Sequence, residues 1–339
     1  MKRNLAVFLA VATCAVGCQR LIDLQVERTL ARVDESVLRS PDLQIVLCGT
    51  GSPIADAARA ASCTAVIAGG HFFLVDAGPG SVEVADLADL PLGHLEGVLL
   101  THFHSDHIGD LGEAITQSWI AGRAQPLDVY GPTGVAPIVD GFREAYAADV
   151  EARVLHHGEP YMPRAAAGAV ARETALADAP LADAVVFDRD GLRITMFRVD
   201  HDPVRPAVGY RFDFGGRSVV ISGDTRKNAS VVAHAKGADL LIHEALDSDL
   251  TGRAVAGARR LGMERLAKLA SDIPGYHSTP REAGEVAQQA GVAHLVLTHL
   301  VPPPRNFIVR RAFTSEASEA FRGEVTLGED GMRFALAPR

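Results

Sequence analysis

The chain has 339 residues, 47% apolar and 22% charged, an ordinary globular composition that excludes intrinsic disorder. Its length accommodates one large domain or two small ones. The formal net charge of -9 repels polyanions at a distance and gains nothing from counterion release, so long nucleic acid is not expected as a substrate.

Lys2 and Arg3 open the chain with positive charge, and Leu5 to Gly17 is an uncharged, mostly apolar run. That run is shorter than the ~20 apolar residues that span a bilayer and reads as a secretory signal. The string Ala15-Val16-Gly17-Cys18 resembles the cleavage box of bacterial lipoproteins, in which the cysteine is lipidated; an ordinary signal cut near the same place is the alternative. Residues 1–18 are therefore expected to direct export to the periplasm, with a lipid anchor at Cys18. Losing Lys2 and Arg3 moves the net charge from -9 to -11. Residues 19–41, of mixed polarity, read as a tether with a short helix, and 42–339 as one domain. Cys48 and Cys63 either pair in the oxidising compartment or stay as two buried thiols.

From Leu43 to Leu47 the pattern is a strand, running into the turn Gly49-Thr50-Gly51-Ser52-Pro53. Thr64 to Ala68 and Phe72 to Val75 form a hairpin around Gly69-Gly70. Val98-Leu99-Leu100 is a short buried strand. Ile108, Leu111, Ile115 and Trp119 then recur at helical spacing. Leu127 to Tyr130 is a strand, Ala136 to Ala147 a helix, and Ala165 to Asp183 an Ala-rich surface insertion. Leu192 to Val199, Ala207 to Phe214, Ser218 to Ser222, Asp239 to Ile242 and His294 to Thr298 are strands. Asn228 to Lys236, Leu250 to Leu269 and Pro280 to Ala290 are helical. Two strand-rich halves with helices between them predict two sheets packed face to face with helices outside.

The run His102-Phe103-His104-Ser105-Asp106-His107 carries the chemistry. Histidines at i and i+2 share one side of an extended chain. No regular helix or strand aims all four polar side chains at one point, but a loop at a strand's end does, with a helix starting at Ile108. Neutral imidazoles and a carboxylate are zinc ligands. Clustering them is costly unless something binds.

Together with later residues, this run resembles the metallo-β-lactamase superfamily, over about Leu43 to the C-terminus. Its motifs occur in order: Asp76 in Val75-Asp76-Ala77-Gly78, the run itself, His201 in Val199-Asp200-His201, Asp224 in Ser222-Gly223-Asp224-Thr225, and His299 in Leu297-Thr298-His299. The resemblance implies an α/β fold, the four-layer αβ/βα sandwich. It implies two zinc ions per chain, one on His102, His104 and His201, the other on Asp106, His107 and His299, with Asp224 between them. Zinc lowers the pKa of bound water to ~7, giving a nucleophile at neutral pH, and Asp106 then counts as a catalytic residue as well as a ligand. Asp76 is either a support for a ligand or a turn-capping residue.

Ser222-Gly223-Asp224-Thr225, His243-Glu244-Ala245 and Tyr276-His277-Ser278-Thr279 resemble the ribonuclease Z branch, which includes arylsulfatase-like and cyclic-nucleotide-phosphodiesterase-like hydrolases. The resemblance implies that Glu244 and His277 act together on the leaving group, as a histidine held by a carboxylate suits a proton donor; capping the helix at Pro280 is the other use for His277. His243 reads as structural. Between the third and fourth motifs the chain holds only a hairpin through Gly215-Gly216, with no long basic arm, which argues against transfer-RNA processing. Leu297-Thr298-His299-Leu300-Val301-Pro302-Pro303 and the strings around His102 and His201 are most similar to exported arylsulfatase-type members. Arg253, Arg259, Arg260 and Arg265 line an approach for anions or form a solvated basic face.

The expected activity is an exported zinc hydrolase of small anionic esters, aryl sulfates or phosphodiesters. The alternatives are a ribonuclease Z-like phosphodiesterase or endoribonuclease, and a lactone, thioester or β-lactam hydrolase. A non-enzymatic zinc-binding envelope protein would have no use for Glu244 and His277. The oxidative branch carries Glu where this chain has His104, so no flavoprotein partner is expected. By analogy with the family, the chain forms a homodimer.

Overall fold

The computed structural model describes residues 19–28 and 31–339. The expected signal and the Cys18 anchor lie outside the described residues. Residues 19–28 are helical and exposed. The rest of the expected tether docks on the domain: Glu35–Arg39 forms a 3-10 turn capped by Asp34, and Val37 is buried in the core. Among the described residues no helix is long and apolar enough to cross a membrane.

Among the described residues, fourteen strands build two seven-stranded sheets. The first holds β1 (Leu43–Gly49), β2 (Cys63–Ala68), β3 (His71–Val75), β4 (Gly97–Leu99), β5 (Leu127–Pro132) and β6 (Ala169–Thr174). The second holds β7 (Asp183–Arg189), β8 (Leu192–Arg198), β9 (Val208–Phe214), β10 (Arg217–Ile221), β11 (Leu240–Leu246), β12 (His294–Val301) and β13 (Glu324–Leu327). The last strand, β14 (Arg333–Leu336), crosses back to pair with β1 in the first sheet.

Alternation along each strand makes the layers. Leu43, Ile45 and Leu47 enter the core between the sheets, where they meet Ile194, Tyr210, Phe212, Val219 and Ile242. Val46 and Cys48 point the other way, under the helices Ser81–Leu87, Leu111–Ile120 and Val135–His157. On the far side, Leu241 and Leu297 pack beneath Pro280–Ala290 and Phe307–Ala320 through Val286, Ala287, Phe313 and Ala317. Helix, sheet, sheet, helix is the expected four-layer sandwich. Gly69 and Gly70 both take positive φ (61° and 86°), the two-residue turn expected of the hairpin.

Several expectations need correction. Ala165 to Asp183 is not a surface insertion: β6 lies within it and pairs in parallel with β5 as an edge strand. The helix from Val135 runs on to His157. Leu250 to Leu269 is two helices, Ser248–Arg260 and Glu264–Asp272, broken where Gly262 takes φ 70°. The helical turn after the histidine run begins at Ser105, not Ile108.

Cys48 and Cys63 form a disulfide, with Cα atoms 5.0 Å apart and a sequence separation of 15. Replacing both by Ala is expected to lower stability by about 3 kcal/mol, the loop-closure value for that separation. A urea midpoint unmoved by the change would show that the loop is held by its other ties, such as Asp330 on the Thr50 and Ala60 amides.

Candidate metal centre

The candidate ligands follow the C-terminal ends of strands, in loops or in the helical turn Ser105–Ile108, except His299, which lies within β12. Behind β4, Thr101 is the pivot. Its amide donates to Asp76 Oδ1 at 2.8 Å and its hydroxyl to Asp76 Oδ2 at 2.8 Å. His107 Nδ1 donates to the same Oδ2 at 2.7 Å. With Nδ1–H committed there, His107 Nε2 is left bare, buried and without a hydrogen-bond partner. Asp76 thus orients His107, a candidate ligand, an arrangement that fits the supporting reading. Asp76→Asn is expected to weaken metal binding about 10- to 100-fold in a competitive chelator titration; an unchanged affinity would reduce Asp76 to a turn residue. Gly78 allows the loop to close: a Cβ there would meet the Asp106 carbonyl oxygen at 2.1 Å.

The second sheet supplies the other ligands. His201, three residues past β8, donates Nδ1–H to the Tyr276 carbonyl at 2.9 Å, leaving a buried Nε2 unpartnered. Asp224 follows β10 through Gly223 (φ 61°), where a Cβ would meet the Val208 carbonyl at 2.6 Å. His299 is an extra residue in β12. Thr298 pairs with Glu244 and Leu300 with Ala245, so His299 is bulged out, at φ 46°. The bulge re-aims its side chain from the strand into the centre.

These residues converge. Asp224 Oδ2 lies 3.3 Å from His107 Nε2, 3.4 Å from His299 Nε2, and 3.9 Å from the Nε2 atoms of both His102 and His201. His102 Nε2 is 3.0 Å from His104 Nδ1, and His299 Nε2 is 3.1 Å from Asp106 Oδ2. Two donor sets result, His102, His104, His201 and Asp224, and Asp106, His107 and His299, each with ligand atoms within 4.8 Å of one another. Zinc takes N and O donors at about 2.0–2.2 Å, which brings its ligand atoms to such mutual distances. Burial above all holds the His102 pKa well below its usual value, favouring the neutral form that a metal takes. The unpartnered buried atoms His107 Nε2, His201 Nε2 and Asp224 Oδ1 are the pattern a bound cation would satisfy. The residues fit metal ions.

Beside the donors stands a second device. Glu244, buried on β11, accepts at Oε1 from the Thr225 amide (3.1 Å), the Ser278 amide (3.1 Å) and His277 Nδ1 (2.9 Å). The His277 ring stacks on His299 with centroids 5.5 Å apart, so its free edge faces the donor sets. Burial opposes protonation of His277, but the Glu244 charge and hydrogen bond prevail and hold its pKa up at about 9. His277 does not cap the next helix; Thr279 does, in a capping box with Glu282. His243 points away, donating to the Glu244 carbonyl at 2.8 Å, and belongs to neither donor set.

Residues 71–300 match the family described as Beta-lactamase superfamily domain. Ribonuclease Z of Mycobacterium marinum is 36% identical over 302 residues, covering 88% of this chain and 100% of its own length. Ribonuclease Z of Mycobacterium bovis is 37% identical, covering 88% of this chain and 99% of its own. The chain belongs to the β-lactamase superfamily, on its ribonuclease Z branch. It is a metal-dependent hydrolase acting on phosphodiester bonds. Two solved structures share the fold of this superfamily member: human tRNase Z, short form (TM-score 0.62, 23% identity, 87% of this chain and 99% of that one), and the metallo-β-lactamase fold protein YhfI of Bacillus subtilis (TM-score 0.61, 22% identity, 87% and 99%).

These relatives overturn the expected arylsulfatase-type activity on small anionic esters and favour the ribonuclease Z-like alternative. The strings that pointed to arylsulfatases hold the candidate donors His102, His104, Asp106, His107, His201 and His299, and so speak for the metal centre rather than for a substrate. As expected, only a loop and the β9–β10 hairpin separate His201 from Asp224, and no arm intervenes.

Proposed function

We propose that this chain hydrolyses phosphodiester bonds in RNA at a site holding two zinc ions, in the manner its ribonuclease Z relatives' name describes. The observation that carries this reading is the Glu244–His277 pair facing the two donor sets, within a chain 36% identical to a ribonuclease Z over that relative's entire length. His102, His104 and His201 would hold one ion, Asp106, His107 and His299 the other, with Asp224 shared. Bound there, zinc supplies a nucleophile at neutral pH and a Lewis acid for the phosphoryl oxygens.

The chain's own residues do the rest. Asp76 and the Tyr276 carbonyl fix the tautomers of His107 and His201. Glu244 holds His277 by Nδ1, so that Nε2 is the atom that gives a proton to the departing ribose oxygen. An alkoxide is a poor leaving group, which is why such a donor belongs in a phosphodiesterase.

The test is cleavage of an RNA stem with a 3′ single-stranded tail, beside an aryl phosphodiester and an aryl sulfate. RNA and phosphodiester should be cut, activity should vanish on chelation and return with zinc, and about two zinc ions per chain should be bound. RNA left intact by metal-loaded protein would refute the reading. Export with a lipid anchor at Cys18 is proposed on the sequence of residues 1–18 and on the Cys48–Cys63 disulfide, a bond that persists in oxidising compartments; cell fractionation tests it.

A further inference from the structure

We propose that the helical hairpin Ser248–Asp272 is the surface on which the phosphate backbone of RNA docks as it enters the metal centre. The proposal rests on the RNA reading above and names the element that would receive the substrate.

Position is the first argument. The chain leaves β11 just after Glu244, makes the hairpin, and returns through Ile273–Gly275 to Tyr276 and His277. Both feet are fixed beside the proton donor: the Leu246 amide donates to the Ser278 carbonyl at 2.8 Å, and Asp247 caps the first helix by accepting from the Leu250 amide at 2.9 Å. Tyr276, at the second foot, sets its ring 4.9 Å from His277 and 5.2 Å from His201. A strand lying on the hairpin is led to the reacting groups.

Its packing is the second. Val255, Ala258 and Ala267 are buried against one another in a small cluster of their own, apart from the cores of the sandwich. The hairpin thus folds on itself and stands out from the sheet, with Leu261 76% and Leu269 53% exposed.

Charge is the third. Arg253, Arg259, Arg260 and Arg265 are exposed, and no ion pair to any of them occurs among the described residues. Arg253 and Arg260, two turns apart, share the outward face opposite buried Thr251, Val255 and Ala258. By contrast, the arginines around His201 are spent: Arg198 pairs with Asp178, Arg205 with Asp202 and Arg226 with Asp200. In a chain of net charge -9, four guanidinium groups without an ion pair, on a hairpin rooted beside Glu244 and His277, form a local counter-surface for a polyanion. Phosphate contacts position a nucleic acid without reading its sequence, and the exposed leucines give riboses and bases an apolar bed.

The experiment compares wild type with R253Q/R259Q/R260Q/R265Q, glutamine being close to arginine in helix propensity. Circular dichroism confirms the fold. Binding of a fluorescent RNA stem with a 3′ tail to chelated protein, which cannot cut it, is followed over a salt series. The variant should bind about 10- to 100-fold more weakly near ~0.1 M salt, with a log–log salt slope shallower by about 3. In metal-loaded protein the ratio of RNA cleavage to aryl phosphodiester hydrolysis should fall in parallel. An unchanged RNA affinity and slope overturns the docking surface while leaving the RNA reading intact. Loss of binding to phosphatidylglycerol vesicles with RNA binding kept would assign the hairpin to a membrane instead, and also overturns it. Wild-type protein that hydrolyses the aryl diester but neither binds nor cuts RNA overturns both readings.

Discussion

Asp224→Ala is expected to strip both donor sets of metal at once. Its Oδ2 lies 3.3–3.9 Å from imidazole nitrogens of His107, His299, His102 and His201, so one carboxylate closes both groups. Without it the first set loses its carboxylate and the second a neighbour 3.3–3.4 Å from two of its imidazoles, leaving Asp106 as the carboxylate that faces them. A loss of several kcal/mol in transition-state stabilisation corresponds to a fall of about 10³-fold or more in kcat/KM. Asp106→Ala is the comparison, because Asp106 belongs to one set alone. Metal content should fall to near zero in the first variant and by about half in the second. Two ions retained in Asp224→Ala would end its assignment as the shared ligand.

His277→Ala should lower kcat on RNA by about 10²–10⁴-fold, the usual contribution of a positioned acid. Hydrolysis of a p-nitrophenyl phosphodiester should change far less, since nitrophenolate departs without a proton. Glu244→Gln should show the same dependence on leaving group in weaker form. Its amide oxygen still accepts from the Thr225 and Ser278 amides but no longer carries the charge that holds His277 protonated. His277 also lies within a third donor group with Asp224 and His299, so the metal content of His277→Ala decides between roles. Unchanged metal with a leaving-group-dependent loss identifies the proton donor; equal losses on both substrates together with lost metal would make His277 a ligand.

The candidate metal centre was legible because four possible donors crowd into six positions and the others lie at or near the ends of hydrophobic strands, a pattern that packing alone does not produce. What stayed hidden was what aims them. The turn of Asp76 onto Thr101 and His107, and the bulge that swings His299 out of β12, depend on partners far away in sequence. The sandwich was legible from the central strands, where apolar residues run nearly unbroken. The edge strands β6, β7 and β14 escaped because each buries few residues; the pattern of β7 from Asp183 to Arg189 exposes all but Ala184, Val186 and Phe187 to solvent or nearly so. The substrate was misread for another reason. Net charge describes the far field of the whole molecule and says nothing of a local groove.

The division of the ligands between the sheets has a mechanical consequence. His102, His104, Asp106 and His107 hang from the first sheet, and His201, Asp224 and His299 from the second. Each donor set draws on both, so a bound ion is a clasp across the seam of the sandwich. A ligand that binds only the folded state adds about 2.7 kcal/mol when its free concentration is a hundred times its dissociation constant. Two such clasps would make the resistance of this chain to unfolding track the free zinc around it, and its lifetime in a metal-poor medium would be set by the seam rather than by either sheet.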